Sequence, residues 1–184
     1  HNPASVTLSA KRREELVDIC KEKNLLVVSD EVYHYLSYSD TPPPPMGSYS
    51  DKCPLISLGS FSKILAPGLR LGWMHTSSAL VEKISGSGLL VSGGGLNPFT
   101  SEIVYSFINL GFLGPHIQRL KTVYQKRIET VCHQLKSSLS NQVEFQIPKG
   151  GYFIWMKFSK DIDTNMFRRE AKKNKVDFYP GLLF

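Results

Sequence analysis

Ser60-Phe61-Ser62-Lys63-Ile64-Leu65-Ala66-Pro67-Gly68-Leu69-Arg70-Leu71-Gly72-Trp73 sets a lysine between hydroxyls, then a Pro-Gly turn, then an arginine. An amine of this kind forms a Schiff base with an aldehyde once it has lost its proton. A phosphate monoester is recognised by hydroxyls, backbone N–H groups and a guanidinium that can bind two oxygens together. Ser60, Ser62 and Arg70 offer those groups beside the Lys63 amine. Upstream, the apolar run Leu25-Leu26-Val27-Val28 reads as a buried strand, and Asp30-Glu31-Val32-Tyr33 follows it. A carboxylate at the carboxyl end of such a strand stands where open α/β sheets bind ligands. Tyr33 and Asn2 each carry a hydrogen-bond donor.

Read singly, each of these residues has a plainer explanation. A lysine in Ser-x-Ser-Lys is usually an exposed loop residue, Asp-Glu after a strand a loop start or cap, Asn2 a turn former, and Tyr33 a packing residue. The four separated elements together resemble the fold-type-I pyridoxal-phosphate enzymes, and among them the class I/II aminotransferases. The spacing is most similar to the aminoadipate/kynurenine aminotransferase branch and to the aminotransferase-like domains of MocR-type regulators. The resemblance implies that Lys63 holds pyridoxal 5'-phosphate as an aldimine, that Asp30 partners the pyridine nitrogen, and that Tyr33 and Asn2 partner the ring oxygen. It makes Ser60, Ser62 and Arg70 the phosphate ligands, with Lys63, Asp30 and Tyr33 acting in catalysis. The family's usual Asn-Pro-Thr-Gly is replaced here by Asn2-Pro3-Ala4-Ser5.

The activity so implied is transfer of an amino group from an amino acid to a 2-oxo acid such as 2-oxoglutarate, by a cytoplasmic homodimer. Two alternatives share the scaffold: a pyridoxal-phosphate lyase or decarboxylase, and a non-catalytic ligand-sensing domain. Against the family pattern, the chain reads as the second half of such an enzyme. It ends on Tyr179-Pro180-Gly181-Leu182-Leu183-Phe184, similar to the family's Pro-Gly-x-x-Phe run.

Other signatures fail. Ser60-Phe61-Ser62-Lys63 satisfies the Ser-x-x-Lys of penicillin-recognising enzymes, but Ser29-Asp30-Glu31 and Lys149-Gly150-Gly151 miss the two companion motifs. The glycines around Ser85-Gly86-Ser87-Gly88 and Gly93-Gly94-Gly95 lack the ending of a nucleotide P-loop and read as a flexible loop near the site. Cys20, Cys53 and Cys132 form no Cys-x-x-Cys pair, and His34, His75, His116 and His133 stand singly, so no metal ligand set is visible. An unpaired, odd cysteine count suits a reducing compartment.

The 184 residues are 41% hydrophobic and 21% charged, ordinary values for a globular protein, with no membrane-length apolar run. The net charge of +6 falls on Lys11-Arg12-Arg13, Lys121 to Arg127, and Arg168-Arg169 with Lys172-Lys173. These read as solvated helix faces, with no nucleic-acid motif.

The periodicity predicts helices over Ser9 to Lys23, Ser78 to Ile84, Pro98 to Leu110, Pro115 to about Leu139 and Asp163 to Asn174. The first packs Leu16, Ile19 and Cys20 together. The long one carries the stripe Ile117, Leu120, Val123, Tyr124, Ile128, Val131 and Leu135. Strands are expected at 25–29, 55–59, 70–75, Val143 to Ile147 and Tyr152 to Phe158, and an exposed loop at Thr41-Pro42-Pro43-Pro44-Pro45. This alternation is α/β. In the resemblance, residues 1–112 are the C-terminal part of a large cofactor-binding domain with a mixed, mostly parallel sheet. Residues 113–184 then form an incomplete small domain that opens on an interdomain helix.

Overall fold

The computed structural model describes residues 1–38, 42–91 and 96–184. Ser9 accepts a hydrogen bond from Arg12 N–H and caps helix α1, Ala10–Glu22. Strand β1, Val27–Asp30, follows, then β2, Leu55–Ser60, and β3, Gly72–Thr76. The sheet order is β1-β2-β3, with β1 parallel to β2 and β3 antiparallel to it. After β3 come helices α2, Ser78–Ser85, α3, Gly88–Val91, and α4, Pro98–Asn109. The long helix α5, Leu113–Leu139, leads to an antiparallel pair, β4, Val143–Phe145, and β5, Met156–Phe158. Helix α6, Thr164–Lys173, is capped by the Asp163 carboxylate, which accepts from Asn165 and Met166 N–H.

The main core lies on one face of the first sheet. Val17 and Cys20 of α1 pack on Leu55, Cys53, Met46 and Tyr49, with Val27 against them. Leu55 and Val17 are fully enclosed, and burial of such side chains stabilises by about 1.5–3 kcal/mol each. Because alternate strand residues face opposite ways, Val28 and Asp30 share the other face. Both are exposed, Val28 to 59%.

Several expectations change here. Leu25 and Leu26 precede β1 and are exposed, as is Val28, so the apolar run is not a buried strand throughout. The buried face of α1 is Arg13, Val17 and Cys20, while Leu16 and Ile19 are exposed. Arg13 is no solvated cation: its Nη1 lies 2.8 Å from Glu31 Oε1 inside the fold. In α5, Ile128 and Cys132 are buried, whereas Val123 and Val131 of the expected stripe face outward. That helix starts two residues earlier than Pro115, which suits a proline in the first turn. Gly86 caps α2 and Gly88 opens α3, so this stretch is ordered helix termini rather than loop. Gly93, Gly94, Gly95 and Thr41 lie outside the described residues. Pro42 to Pro45 belong to no helix or strand, and Pro42 and Pro44 are exposed.

Candidate active site

Sheet topology assembles the site. Because β1 and β2 run parallel, Asp30 and Ser60 end their strands at the same sheet edge. Because β3 is antiparallel, its first residue pairs with the last of β2, Ser60 opposite Gly72. The approach to β3, including Arg70, therefore returns to that edge. The intervening turn is pinned by Ile64, fully buried, and by Phe61, whose ring lies 4.8 Å from Trp73. Phe61 N–H donates to Leu71 O at 3.0 Å, closing the turn at its neck.

Gly59 and Gly72 make this hairpin possible. A Cβ on Gly59 would overlap the Trp73 indole, and one on Gly72 would meet Gly59 O at 2.6 Å. Arg70 itself holds φ +49°, a left-handed conformation costly for a side chain. Asn97 supports it: its amide donates to Leu69 O at 3.0 Å and to Arg70 O at 3.5 Å. The residue precedes Pro98 at the start of α4 and makes no side-chain cap hydrogen bond there. Its side chain instead serves the arginine turn, and no local signal reveals that.

Arg70 Nη1 donates to Ser62 Oγ at 3.3 Å and to Pro67 O at 3.2 Å, and Ser62 N–H donates to Ser60 Oγ at 3.1 Å. The three polar residues expected to serve a phosphate are thus gathered on one turn. Asn2, Asp30, Tyr33 and Lys63 line a single cleft of about 1100 Å3. Ser60, Ser62 and Arg70 are not among its lining residues and sit on the turn that carries Lys63. The Lys63 ammonium lies 5.9 Å from the centre of the Tyr33 ring. Asp30 Oδ1 accepts from Val32 N–H at 3.3 Å, an Asx turn that starts the bend towards Tyr33.

Tyr33 packs edge-on against Tyr152 at 5.4 Å and Phe153 at 6.0 Å. Burial holds its hydroxyl pKa well above the ordinary value, helped by a hydrogen bond with the Tyr152 hydroxyl and by the Asp30 charge. Tyr33 therefore keeps its proton as a donor. Tyr152 and Phe153, 119 and 120 residues further on by numbering, also line the cleft. The sequence reading treated them as strand residues, but β5 begins only at Met156.

Behind Asp30 lies a buried ionic knot. Glu31 accepts from Arg13 at 2.8 Å, from Met46 N–H at 2.8 Å and from Ser57 Oγ at 2.6 Å. Arg13 also donates to Leu8 O at 3.1 Å and Pro44 O at 3.0 Å. The end of β1 is thereby tied to α1, to the proline loop and to β2. Among the described residues no cluster of His, Cys, Asp or Glu could hold a metal ion.

The donor set suits an aromatic aldehyde bearing a phosphate: one amine, one carboxylate, two neutral donors, and a serine-arginine turn. The family model for aminotransferases of class I and II matches residues 1–178. The chain belongs to that family. It is 31% identical to aromatic-amino-acid aminotransferase 1 of Thermococcus litoralis, over all of this chain and 44% of that protein. It is 24% identical to the helix-turn-helix-type transcriptional regulator NorG of Staphylococcus aureus, over 41% of that protein. Among solved structures, the multiple substrate aminotransferase of Thermococcus profundus superposes with a TM-score of 0.88 at 33% identity. That match covers 98% of this chain and 45% of the other. Kynurenine aminotransferase from Pyrococcus horikoshii, solved with PMP, superposes equally well at 31% identity, with the same coverage. The chain thus spans less than half the length of these relatives.

Proposed function

We propose that the protein is a pyridoxal 5'-phosphate-dependent aminotransferase that moves an amino group from an amino acid to a 2-oxo acid, with 2-oxoglutarate as acceptor. The observation that carries this reading is the single sheet edge bearing Asp30, Ser60, Ser62, Lys63 and Arg70, in a chain of aminotransferase family. When bound, the cofactor supplies an aldehyde for amines and a ring that accepts the electron pair left at the amino acid's α-carbon.

The chain's own residues supply the rest. Arg70 binds phosphate oxygens through its guanidinium fork, with the Ser60 and Ser62 hydroxyls beside it. Asp30 holds a proton on the ring nitrogen. Tyr33 and Asn2 donate to the ring oxygen. Lys63 would hold the aldehyde end of the cofactor through its amine, and that amine would carry a proton away from the substrate α-carbon.

In this reading residues 1–112 belong to the cofactor-binding domain, and α5 opens a smaller one over 113–184. Separate sheets at 27–76 and 143–158 support that division. The working form is a homodimer in the cytoplasm, a reducing compartment that suits the three free cysteines. No helix among the described residues is long and apolar enough to cross a membrane.

Similarity to transcriptional regulators favours one second reading, a ligand-sensing domain built on the same cofactor site. Borohydride trapping tests the site that both readings share. Protein expressed from its full coding sequence, incubated with pyridoxal phosphate and reduced, is expected to carry the label on the Lys63 peptide alone. Absent or scattered labelling would overturn the cofactor site. Amino-group transfer that survives Lys63→Ala would overturn the mechanism, and labelling of Lys63 without any transfer would favour the sensor.

A further inference from the structure

The Asn2 turn is closed by Ser5 N–H, which donates to His1 O at 2.8 Å. Ser5 sits where the family run usually has glycine, and its φ of +56° is the left-handed conformation that glycine adopts freely. What glycine could not supply is the hydroxyl. Ser5 Oγ lies 2.8 Å from Phe153 O and 3.2 Å from Pro3 O, so its one proton goes to the nearer Phe153 carbonyl. The contact joins residues 148 apart in sequence.

The segment it reaches is held on its other side as well. Gly151 N–H donates to Leu36 O at 3.0 Å, and Tyr38 N–H donates to Lys149 O at 2.8 Å. A Cβ on Gly150 would come within 2.8 Å of Leu36 O, so the two backbones approach as closely as glycine allows. Tyr152 and Phe153 then set their rings against Tyr33. One short segment thus fastens two separate stretches of chain, one carrying Asn2 and the other Tyr33.

We propose that Ser5 is a positioning residue, clamping the Asn2 turn to the Phe153 carbonyl so that Asn2 and Tyr33 are held as one unit against the cofactor's ring oxygen. This rests on the reading of Asn2 as a donor to that oxygen. Ser5 supplies a long-range tether that a glycine at this turn could not make.

Glycine and alanine substitutions separate this role from a merely structural one. Ser5→Gly relieves the left-handed backbone but deletes the hydroxyl, while Ser5→Ala deletes the hydroxyl and keeps the strain. The proposal expects both variants of the full coding sequence to bind pyridoxal phosphate about tenfold more weakly, the scale of one lost hydrogen bond. In both, the pH midpoint of the bound cofactor's visible absorption band should rise, because a weaker donor at the ring oxygen favours its protonated form. Since Ser5 acts through Asn2, the Ser5→Ala effect on binding and on that midpoint should largely vanish in an Asn2→Ala background.

A Ser5→Gly protein that binds and titrates like the parent, or effects that add fully to those of Asn2→Ala, would overturn the proposal. Thermal melting of each variant without cofactor accompanies the measurement. Weaker binding with an unshifted absorption midpoint would mean a loss of stability only, and would likewise overturn it. Failure of the parent protein to develop the band would strike earlier, at the cofactor reading on which the clamp depends.

Discussion

Arg13 shows how much a single residue can decide in the wall of a site, since it lines the same cleft as Asp30 and Lys63. Its side chain and that of Glu31 are each 9% exposed, and the pair is saturated with further hydrogen bonds to Leu8, Pro44, Met46 and Ser57. Removing one partner of such a pair leaves the other buried and unpaired, which costs about 3–5 kcal/mol. Arg13→Met should therefore destabilise the protein by that order in urea denaturation. Arg13→Met combined with Glu31→Met should cost distinctly less than the two single losses summed. Full additivity would mean that the pair does not act as a unit. His34, close by, has its pKa lowered chiefly by burial, with Arg13 lowering it further and Glu31 opposing. Its folded pKa lies below the unfolded value of about 6.5, so the unfolded chain takes up the proton first as pH falls. His34's contribution is whole above about pH 6.5 and is lost as pH drops towards the folded value. The difference in unfolding free energy between parent and His34→Gln should shift in the variant's favour over that window. A difference independent of pH from 8 to 5 would contradict it.

At the scale of elements, the β2–β3 hairpin and its turn explain what could be read in advance. That Ser60, Ser62 and Arg70 would gather on the turn carrying Lys63 was legible because these residues lie close together in sequence. The helix over Ser9 to Lys23 was legible as an element, although of its expected face only Cys20 is buried. What was hidden depended on distance. Asn97 reaches Leu69 and Arg70 across 27 to 28 residues, and Arg13 reaches Glu31 across 18, with no local pattern marking either. The outward turn of Val28 and Ile19 was hidden too, because an apolar side chain reads as core whether or not a layer covers it. The hairpin yields its own prediction. With Gly59 O only 2.6 Å from the place of a Cβ at Gly72, alanine there must spread the strands. Overpacking of this kind costs about 1–3 kcal/mol. Gly72→Ala should lower the melting temperature and also weaken pyridoxal phosphate binding, since Arg70 rides on the same strand entry. Asn97→Ala should weaken binding of the phosphate with a much smaller change in melting, because its side-chain amide bonds to Leu69 O and Arg70 O on the arginine turn. Equal effects of the two substitutions on binding and melting would break that distinction.

The molecule as a whole carries more apolar surface than its core can hide. Val28, Met74, Phe99, Ile103, Leu110, Phe112, Leu182 and Phe184 are each at least 44% exposed. The first two lie on the same sheet face, each more than half exposed, where Leu58 pairs with Met74. Parallel-containing sheets are ordinarily covered on both faces, and a bare one presents apolar side chains and an open strand edge to other molecules. The surface of Leu182 to Phe184 adjoins an apolar groove of about 980 Å3 between α5 and the C-terminal residues, lined by Ile128, Val131, Trp155 and Phe184. The core cluster on the α1 face of the three-stranded sheet is small for a chain of 184 residues, and Leu36, Ile64, Val104, Ile128, Cys132 and Val143 are buried apart from it. Residues 1–184 expressed alone should then bind a hydrophobic dye strongly, elute as self-associated species and melt without a sharp transition. Charged substitutions on the open face, Val28→Lys with Met74→Glu, should reduce the self-association while leaving the α1 core untouched. A monomeric sample with a cooperative melt and little dye binding would show instead that these apolar groups find cover within the chain itself. The open sheet face would then not be a surface in solution at all.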